Sequence, residues 1–295
     1  MSQRILIIDS QELSTVQDCP WKYFLKFNKQ FRKSGITPEP LERGSLGHII
    51  LETYYNCLKV NTPFETALEQ AVNVGREAYI EMDLDVDICE WTIKSFYQYA
   101  HRWRYDGIKV IEVEQASMFP LYEDDELKVF YSTKIDLLAE FPLTGIGPVD
   151  HKFRGQKAEY HKLDNQFIGY AVATNSDVVY INEIGLQESP KYTPEIKFRR
   201  IPLSYDSGIK ERWIKNTIWW AKQIDWFTQN ETFPQCHNTA GRQGITKCAM
   251  CEYNIICSSS TQQEMNRKII DMYHLVDKWD VTKELTRDES KEVTK

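Results

Sequence analysis

The feature that most constrains this chain is an acid placed where a strand calls for an apolar side chain. Asp136 sits inside the run Ile135-Asp136-Leu137-Leu138-Ala139, within a segment, residues 127–141, that reads as a strand. An unpaired carboxylate among apolar neighbours is costly, so Asp136 requires a partner. Residues 142–148 hold two prolines and two glycines and read as a turn, with residues 148–153 as the returning strand. Positions two apart share a strand face, so Asp150 and Lys152 project together. A hairpin would set Asp136 beside Asp150. Neighbouring carboxylates repel unless a cation lies between them, and oxygen-rich sites suit Mg2+ or Mn2+. Such an ion lowers the pKa of a bound water and clamps a phosphate, and Lys152 would stabilise the negative charge that develops there. The competing reading is a surface hairpin with its acids and lysine in water; the apolar flanks of Asp136 argue against it.

Two further groups fit such a site. Gly44-Ser-Leu-Gly47-His48 opens into an apolar helix, where glycine permits close backbone approach and a neutral imidazole can complete a metal site. Gln166-x3-Tyr170 places an amide and a phenol on one helix face, where either could contact DNA or simply be surface polarity.

The surrounding composition is that of a folded protein. With 295 residues, 42% hydrophobic and 27% charged, the chain is neither disordered nor low-complexity. Apolar runs such as residues 5–8 fall far short of the ~20 residues of a membrane span. Arg4, four apolar residues and Asp9 are too short for a signal-peptide core, which implies a cytoplasmic protein. The net charge of −7 excludes a uniformly basic coat but leaves room for a local basic groove.

Four segments are expected. Residues 1–107 hold a strand at 4–9, a basic aromatic helix at 21–31 and helices at 41–59, 62–82 and 87–105. Residues 108–232 switch to strand periodicity, with strands at 109–119, 127–141, 148–153, 177–184 and 196–203 and helices at 162–174 and 207–230. The last helix carries a Trp219-Trp220-x5-Trp226 face. Residues 233–275 are cysteine-rich, and residues 276–295 alternate charges like a frayed, flexible tail.

Taken in order, "RGSLGHIILE", "STKIDLL", "PVDHK" and "QFIGY" resemble the PD-(D/E)XK nuclease superfamily in its RecB-like branch, over residues 18–257. The resemblance implies an α/β restriction-endonuclease-like core, a mixed central sheet flanked by helices, with an N-terminal helical insertion. It implies that His48, Asp136 and Asp150 hold the divalent metal, with the backbone carbonyl of His151 as a further ligand. It implies Lys152 as the catalytic lysine and Gln166 and Tyr170 as the family's Gln-x3-Tyr pair. Glu114 lies on the preceding strand, where some relatives place another acid.

The cysteines carry a second signal. Cys248, Cys251 and Cys257 form a C-x2-C-x5-C run, and Cys19, just before Pro20 and the aromatic helix, is the candidate fourth ligand. Four thiolates suit an iron–sulfur cluster or tetrahedral zinc. In the RecB-like branch such a set binds a [4Fe-4S] cluster, in an arrangement similar to AddB-type helicase–nucleases and the iron–sulfur exonucleases of CRISPR adaptation. The resemblance therefore implies a structural staple joining the N- and C-terminal segments. Cys236, followed by His237, is an alternative ligand whose spacing does not match; Cys57 and Cys89 read as small buried hydrophobes.

Lys22 to Lys33 and the run Lys197-Phe-Arg-Arg200 are candidate phosphate contacts. The implied activity is a Mg2+- or Mn2+-dependent DNA nuclease, an exonuclease on single-stranded ends in recombination, repair or replication. Two alternatives stand beside it: a catalytically idle iron–sulfur DNA-binding subunit, and a zinc-stapled interaction module. No G-x4-G-K-[ST] loop occurs, so unwinding would need a helicase or another recombination or adaptation partner.

Overall fold

The computed structural model describes residues 3–35, 39–154, 159–187, 195–236 and 247–292. In chain order the elements are β1 (Arg4–Ile8), α1 (Ser10–Asp18), α2 (Pro20–Tyr23), β2 (Phe31–Lys33), α3 (Glu39–Lys59), α4 (Phe64–Glu81), α5 (Val86–Trp103), β3 (Lys109–Glu123), β4 (Leu127–Phe141), β5 (Gly145–Arg154), α6 (Asn165–Ala173), β6 (Val178–Gln187), β7 (Glu195–Ser204), α7 (Ser207–Gln229), α8 (Asn254–Cys257), α9 (Gln262–Met272), β8 (Tyr273–Leu275) and α10 (Val281–Glu292). Among the described residues no helix is long and apolar enough to cross a membrane. The chain divides into two units. One comprises Thr37–Ser117 and Thr133–Glu211; the other comprises Met1–Ile36, Met118–Ser132 and Arg212–Lys295.

The first unit is built on a mixed sheet. The later part of β4 pairs antiparallel with β5, β5 parallel with β6, and β6 antiparallel with β7; β3 pairs with β4. A parallel step needs a crossover, and α6 supplies it between β5 and β6. Gly145 holds the tight turn before β5 at φ 76°. Strand alternation sorts the β5 side chains. His151 and Phe153 face α3 and α5, where the His151 ring stacks on Tyr55 and meets Tyr99 edge-on. Asp150 and Lys152 face α6. Apolar faces of α3, α4 and α5 close the core around Leu46, Ile50, Phe96, Leu137 and Val149. This is the mixed sheet flanked by helices that the resemblance implied.

In the second unit β1 lies parallel to Leu127–Tyr131 of β4, and β2 pairs antiparallel with β8. Here the chain departs from the sequence reading in three places. Residues 10–18 form α1, which the reading missed; its signal was a capping box, with Asp9 accepting from the Glu12 N–H and Glu12 reaching back to Asp9 N–H. The expected continuous helix over 21–31 is instead four residues of α2, a π-helical turn at Phe24–Asn28, and β2. Gln30 adopts φ 58°, which ends the helix, and the Tyr253 hydroxyl then takes the Phe31 carbonyl at 2.6 Å. The expected frayed tail is helical over Val281–Glu292: Val281 is buried, and Lys278 donates to the buried Glu12 at 2.8 Å. A charge pattern alone does not reveal that one apolar residue and one lysine anchor the segment.

Candidate active site and cysteine cavity

Helix α3 brings His48 to the sheet because Gly47 allows it. A β-carbon at Gly47 would lie 2.2 Å from the Phe153 ring of β5, so only glycine permits this approach. The next residue, His48, has Nδ1 3.6 Å from Glu114 Oε1 on β3 and 3.6 Å from Asp136 Oδ2 on β4. One candidate ligand atom from each of these three residues lies within 4.8 Å of the others. Lys134 holds the second Glu114 oxygen at 3.1 Å. The backbone at Glu114 is left-handed, φ 49°, inside an otherwise extended strand; such strain persists where neighbours over-determine it, here His48 and Lys134.

Asp150 stands beside this cluster, 1% exposed. Its Oδ1 accepts from Lys152 Nζ at 2.9 Å and from Gln166 Nε2 at 3.0 Å. Its Oδ2 is buried without a hydrogen-bond partner. Lys152 Nζ also donates to Gln166 Oε1 at 3.3 Å, and the Gln166 amide donates to the Tyr170 hydroxyl at 3.0 Å. Tyr170 in turn donates to the Lys134 carbonyl at 2.8 Å. Asp136 Oδ2 accepts the His151 backbone N–H at 2.7 Å.

The electrostatics follow from burial and crowding. Burial, then the neighbouring Asp150 charge, raises the Asp136 carboxyl; burial raises Asp150 against the pull of Lys152. Burial works to lower the His48 imidazole, but Glu114 and Asp136 outweigh it and lift it to about 9. Burial opposes ionisation of Glu114, yet His48 and Lys134 hold its carboxyl below the ordinary value. Burial keeps the His151 ring neutral. Two crowded carboxyls that resist ionisation, Asp136 and Asp150, with a buried oxygen left unpartnered and the ionised Glu114 nearby, form the donor set that a divalent cation satisfies. His48, Glu114 and Asp136, with Asp150 Oδ2 beside them, fit such an ion.

The structure thus gathers His48, Asp136, Asp150, Lys152, Gln166 and Tyr170, and adds Glu114 at the centre. His151 contributes a buried ring packed on tyrosines and a backbone donor to Asp136. Tyr170 is 3% exposed and donates to backbone, so it braces the site. Arg200, one of the expected phosphate contacts, is largely buried: it stacks over Trp103 and binds Asn182 and Asp106. Arg199 pairs with the buried Glu183. The Lys197 side chain and His237 lie outside the described residues.

In the other unit Cys19, Cys236, Cys248, Cys251 and Cys257 line one cavity of about 220 Å³. Cys19 sits at the α1–α2 junction, and Lys247 ties the facing loop to Asp18 at 2.7 Å. None of the five is in a disulfide. Burial pushes Cys251 and Cys236 up, and burial with the nearby Cys251, Cys19 and Cys248 pushes Cys257 to about 11. Cys236, set aside on spacing, joins the four expected residues. Cys57 and Cys89 are buried, as the helical pattern implied.

The sequence matches the family model of the PD-(D/E)XK nuclease superfamily over residues 10–258. No curated protein matches the chain. Among solved structures, it is similar to a candidate exonuclease from Eubacterium rectale at 12% identity and TM-score 0.42, over 86% of this chain and 94% of the other. It is also similar to SSO0001 at 9% identity and TM-score 0.37, over 89% and 91%.

Proposed function

From the premise that the chain belongs to the PD-(D/E)XK nuclease superfamily, we propose that it is a Mg2+- or Mn2+-dependent DNA nuclease, acting as an exonuclease on single-stranded ends. The observation that carries this reading is the convergence of His48, Glu114 and Asp136 beside the Asp150–Lys152–Gln166 cluster. The reaction adds water across a phosphodiester: a water oxygen bonds to phosphorus, and the bond from phosphorus to one sugar oxygen breaks. Bound metal supplies Lewis acidity and a more acidic water. His48, Glu114, Asp136 and Asp150 Oδ2 are the groups that would hold it. The Lys152 ammonium, fixed by Asp150 and Gln166, stabilises charge on the phosphate oxygens as it develops. Gln166 and Tyr170 are positioning residues that hold this ammonium and the Asp150 carboxylate in register.

In the second unit the cysteine cavity supports a [4Fe-4S] cluster on Cys19, Cys248, Cys251 and Cys257. Zinc more often takes two close cysteine pairs, whereas here Cys19 stands far along the chain from the C-x2-C-x5-C run, a pattern that favours the cluster. We place the protein in recombination, repair or replication, alongside a partner that unwinds duplex.

Cleavage of 5′- and 3′-labelled single strands, duplex and circular DNA tests the activity. Mg2+ or Mn2+ should support degradation of linear single strands and spare circles. Asp136→Ala and Lys152→Ala should each lower turnover by about 100-fold or more while retaining DNA binding. Equal rates in wild type and Lys152→Ala would overturn the assignment.

A further inference from the structure

Helix α7 shows an exposed face that the nuclease site does not use. Its buried side, Trp213, Thr217, Ala221, Ile224 and Phe227, packs into the second unit, with Trp213 edge-on to Tyr131 at 4.9 Å. The opposite side carries Arg212, Lys215, Trp219, Lys222 and Trp226. At about 100° per residue these five fall within an arc of about 80°, and they span about 21 Å along the axis. Cations and tryptophans alternate along it. Trp219 and Trp226 are 54% and 52% exposed, an unusual placement for the largest aromatic side chain.

The rings are braced. Trp219 stands perpendicular to Trp220 at 4.9 Å, and Trp226 lies at 75° to the buried Phe227. Lys222 Nζ sits 3.8 Å over the Tyr122 ring, which adds a third aromatic to the face. Among the described residues Arg212 and Lys215 have no acidic partner. The flanking Asp225 is neutralised by Arg4 at 2.9 Å. Asp124, the acid that senses Lys222, is held by the Tyr122 hydroxyl and by the Glu126 and Leu127 amides. Glu211 is exposed at the edge of the arc, but Arg212, Lys215 and Lys222 outnumber it, so the stripe is cationic on a chain of net charge −7.

We propose that this face of α7 binds a single nucleic-acid strand outside the nuclease site, with bases stacked on Trp219 and Trp226 and phosphates on Arg212, Lys215 and Lys222. Exposed aromatics alternating with cations are the chemistry that holds single strands without reading sequence: every base has a π-face, and every linkage has a charge. A duplex offers the charge but keeps its bases stacked internally, so the face discriminates for single strands. The choice of DNA rests on the nuclease reading; the strand-binding chemistry does not.

The test is binding of fluorescein-labelled oligo(dT) and of a matched duplex to the full chain in EDTA, where cleavage is silent. Unlabelled oligo(dT) should quench the tryptophan fluorescence of the wild type. Trp219→Ala/Trp226→Ala should weaken oligo(dT) binding tenfold or more and leave duplex binding within twofold; Trp219→Phe/Trp226→Phe should keep most of the affinity. Lys215→Gln/Lys222→Gln should flatten the salt dependence of log K by about 1.4, at ~0.7 per phosphate contact on single strands. The exposed positions predict unchanged melting in all three. Wild-type oligo(dT) affinity in the tryptophan-to-alanine variant overturns the proposal. So does self-association that this variant abolishes while DNA binding persists, since the face is then a protein interface. Intact oligo(dT) binding without metal-dependent cleavage would sink the nuclease reading and leave this surface standing.

Discussion

At the scale of single residues, the site is governed by one proton. In the ion-free protein His48 is lifted to about 9, so at neutral pH it is a cation neutralising Glu114 and Asp136. A metal needs the neutral ring, so binding must expel that proton. Calorimetry in buffers of different ionisation enthalpy should show at least one proton released per ion near pH 7, from His48 and from the raised Asp136 and Asp150 carboxyls, with affinity rising towards pH 9. Proton uptake, or no pH dependence, would contradict His48 as a ligand. The stability consequence has one sign for His48, Asp136 and Asp150, and the opposite sign for Glu114 and His151, which are held below their ordinary values. A folded-state value raised above the unfolded one adds stability that is complete below the unfolded value and is lost as pH rises through the folded one. His48 is raised, and so are Asp136 and Asp150. From about pH 7 to pH 9, above the range in which Glu114 and His151 act, the ion-free protein should therefore melt progressively lower as His48 loses its proton. Mn2+ should restore most Tm at the alkaline end. Glu114→Gln, which removes a charge from the cluster, should weaken ion binding by about tenfold or more at pH 7.

At the scale of elements, two contacts set the site. The first is the passage of α3 over β5 at Gly47. Gly47→Ala forces its new methyl into the Phe153 ring, a cost of about 1–3 kcal/mol, and shifts His48 off the cluster. Loss of both Tm and turnover is expected, with partial recovery in Gly47→Ala/Phe153→Leu; a non-additive double mutant is the signature of direct contact. An unchanged Tm in the single variant would show that α3 and β5 have room to spare. The second is α6, which braces β5 through Gln166 and β4 through Tyr170. Tyr170→Phe removes the donor to the Lys134 carbonyl and the acceptor of the Gln166 amide, and should cost about 1–3 kcal/mol. Its kcat should fall while KM for an oligonucleotide holds, because a positioning residue is lost. A change confined to KM would instead place Tyr170 on the DNA. Much at this scale was legible in the sequence. The limits of β4 and α7, the acid in the apolar strand and the Asp150-x-Lys152 pair all follow from periodicity. Glu114 was weaker, because its left-handed backbone breaks the alternation that assigns faces.

At the scale of the whole molecule, each unit is assembled from segments distant in the chain, and each closes its own chemistry. The site's acids and lysine lie in one unit, the five cavity cysteines in the other. A centre joining Cys19 to Cys251 links segments more than two hundred residues apart, so its loss should loosen the second unit most. Cys251→Ala should give colourless protein of lower Tm and poor solubility after anaerobic purification. A brown, fully stable variant would rule out Cys251 as a ligand and the cluster as a staple. Cys236 is the control: its replacement should leave the colour if the C-x2-C-x5-C run and Cys19 are the ligands.

The sequence by itself determined what repeats locally: strand and helix periods, the carboxylate pair that needs a cation, and the thiolate spacing. These are short-range consequences of side-chain geometry and desolvation, and they survive without knowledge of the fold. The tertiary structure alone decided which similar residues do different work. It set Glu114 against His48 near Asp136, and Arg200 in a buried stack on Trp103. It turned Tyr170 inward and left Trp219 and Trp226 outward. Burial and partnership are properties of packing between distant segments, and no local pattern encodes them.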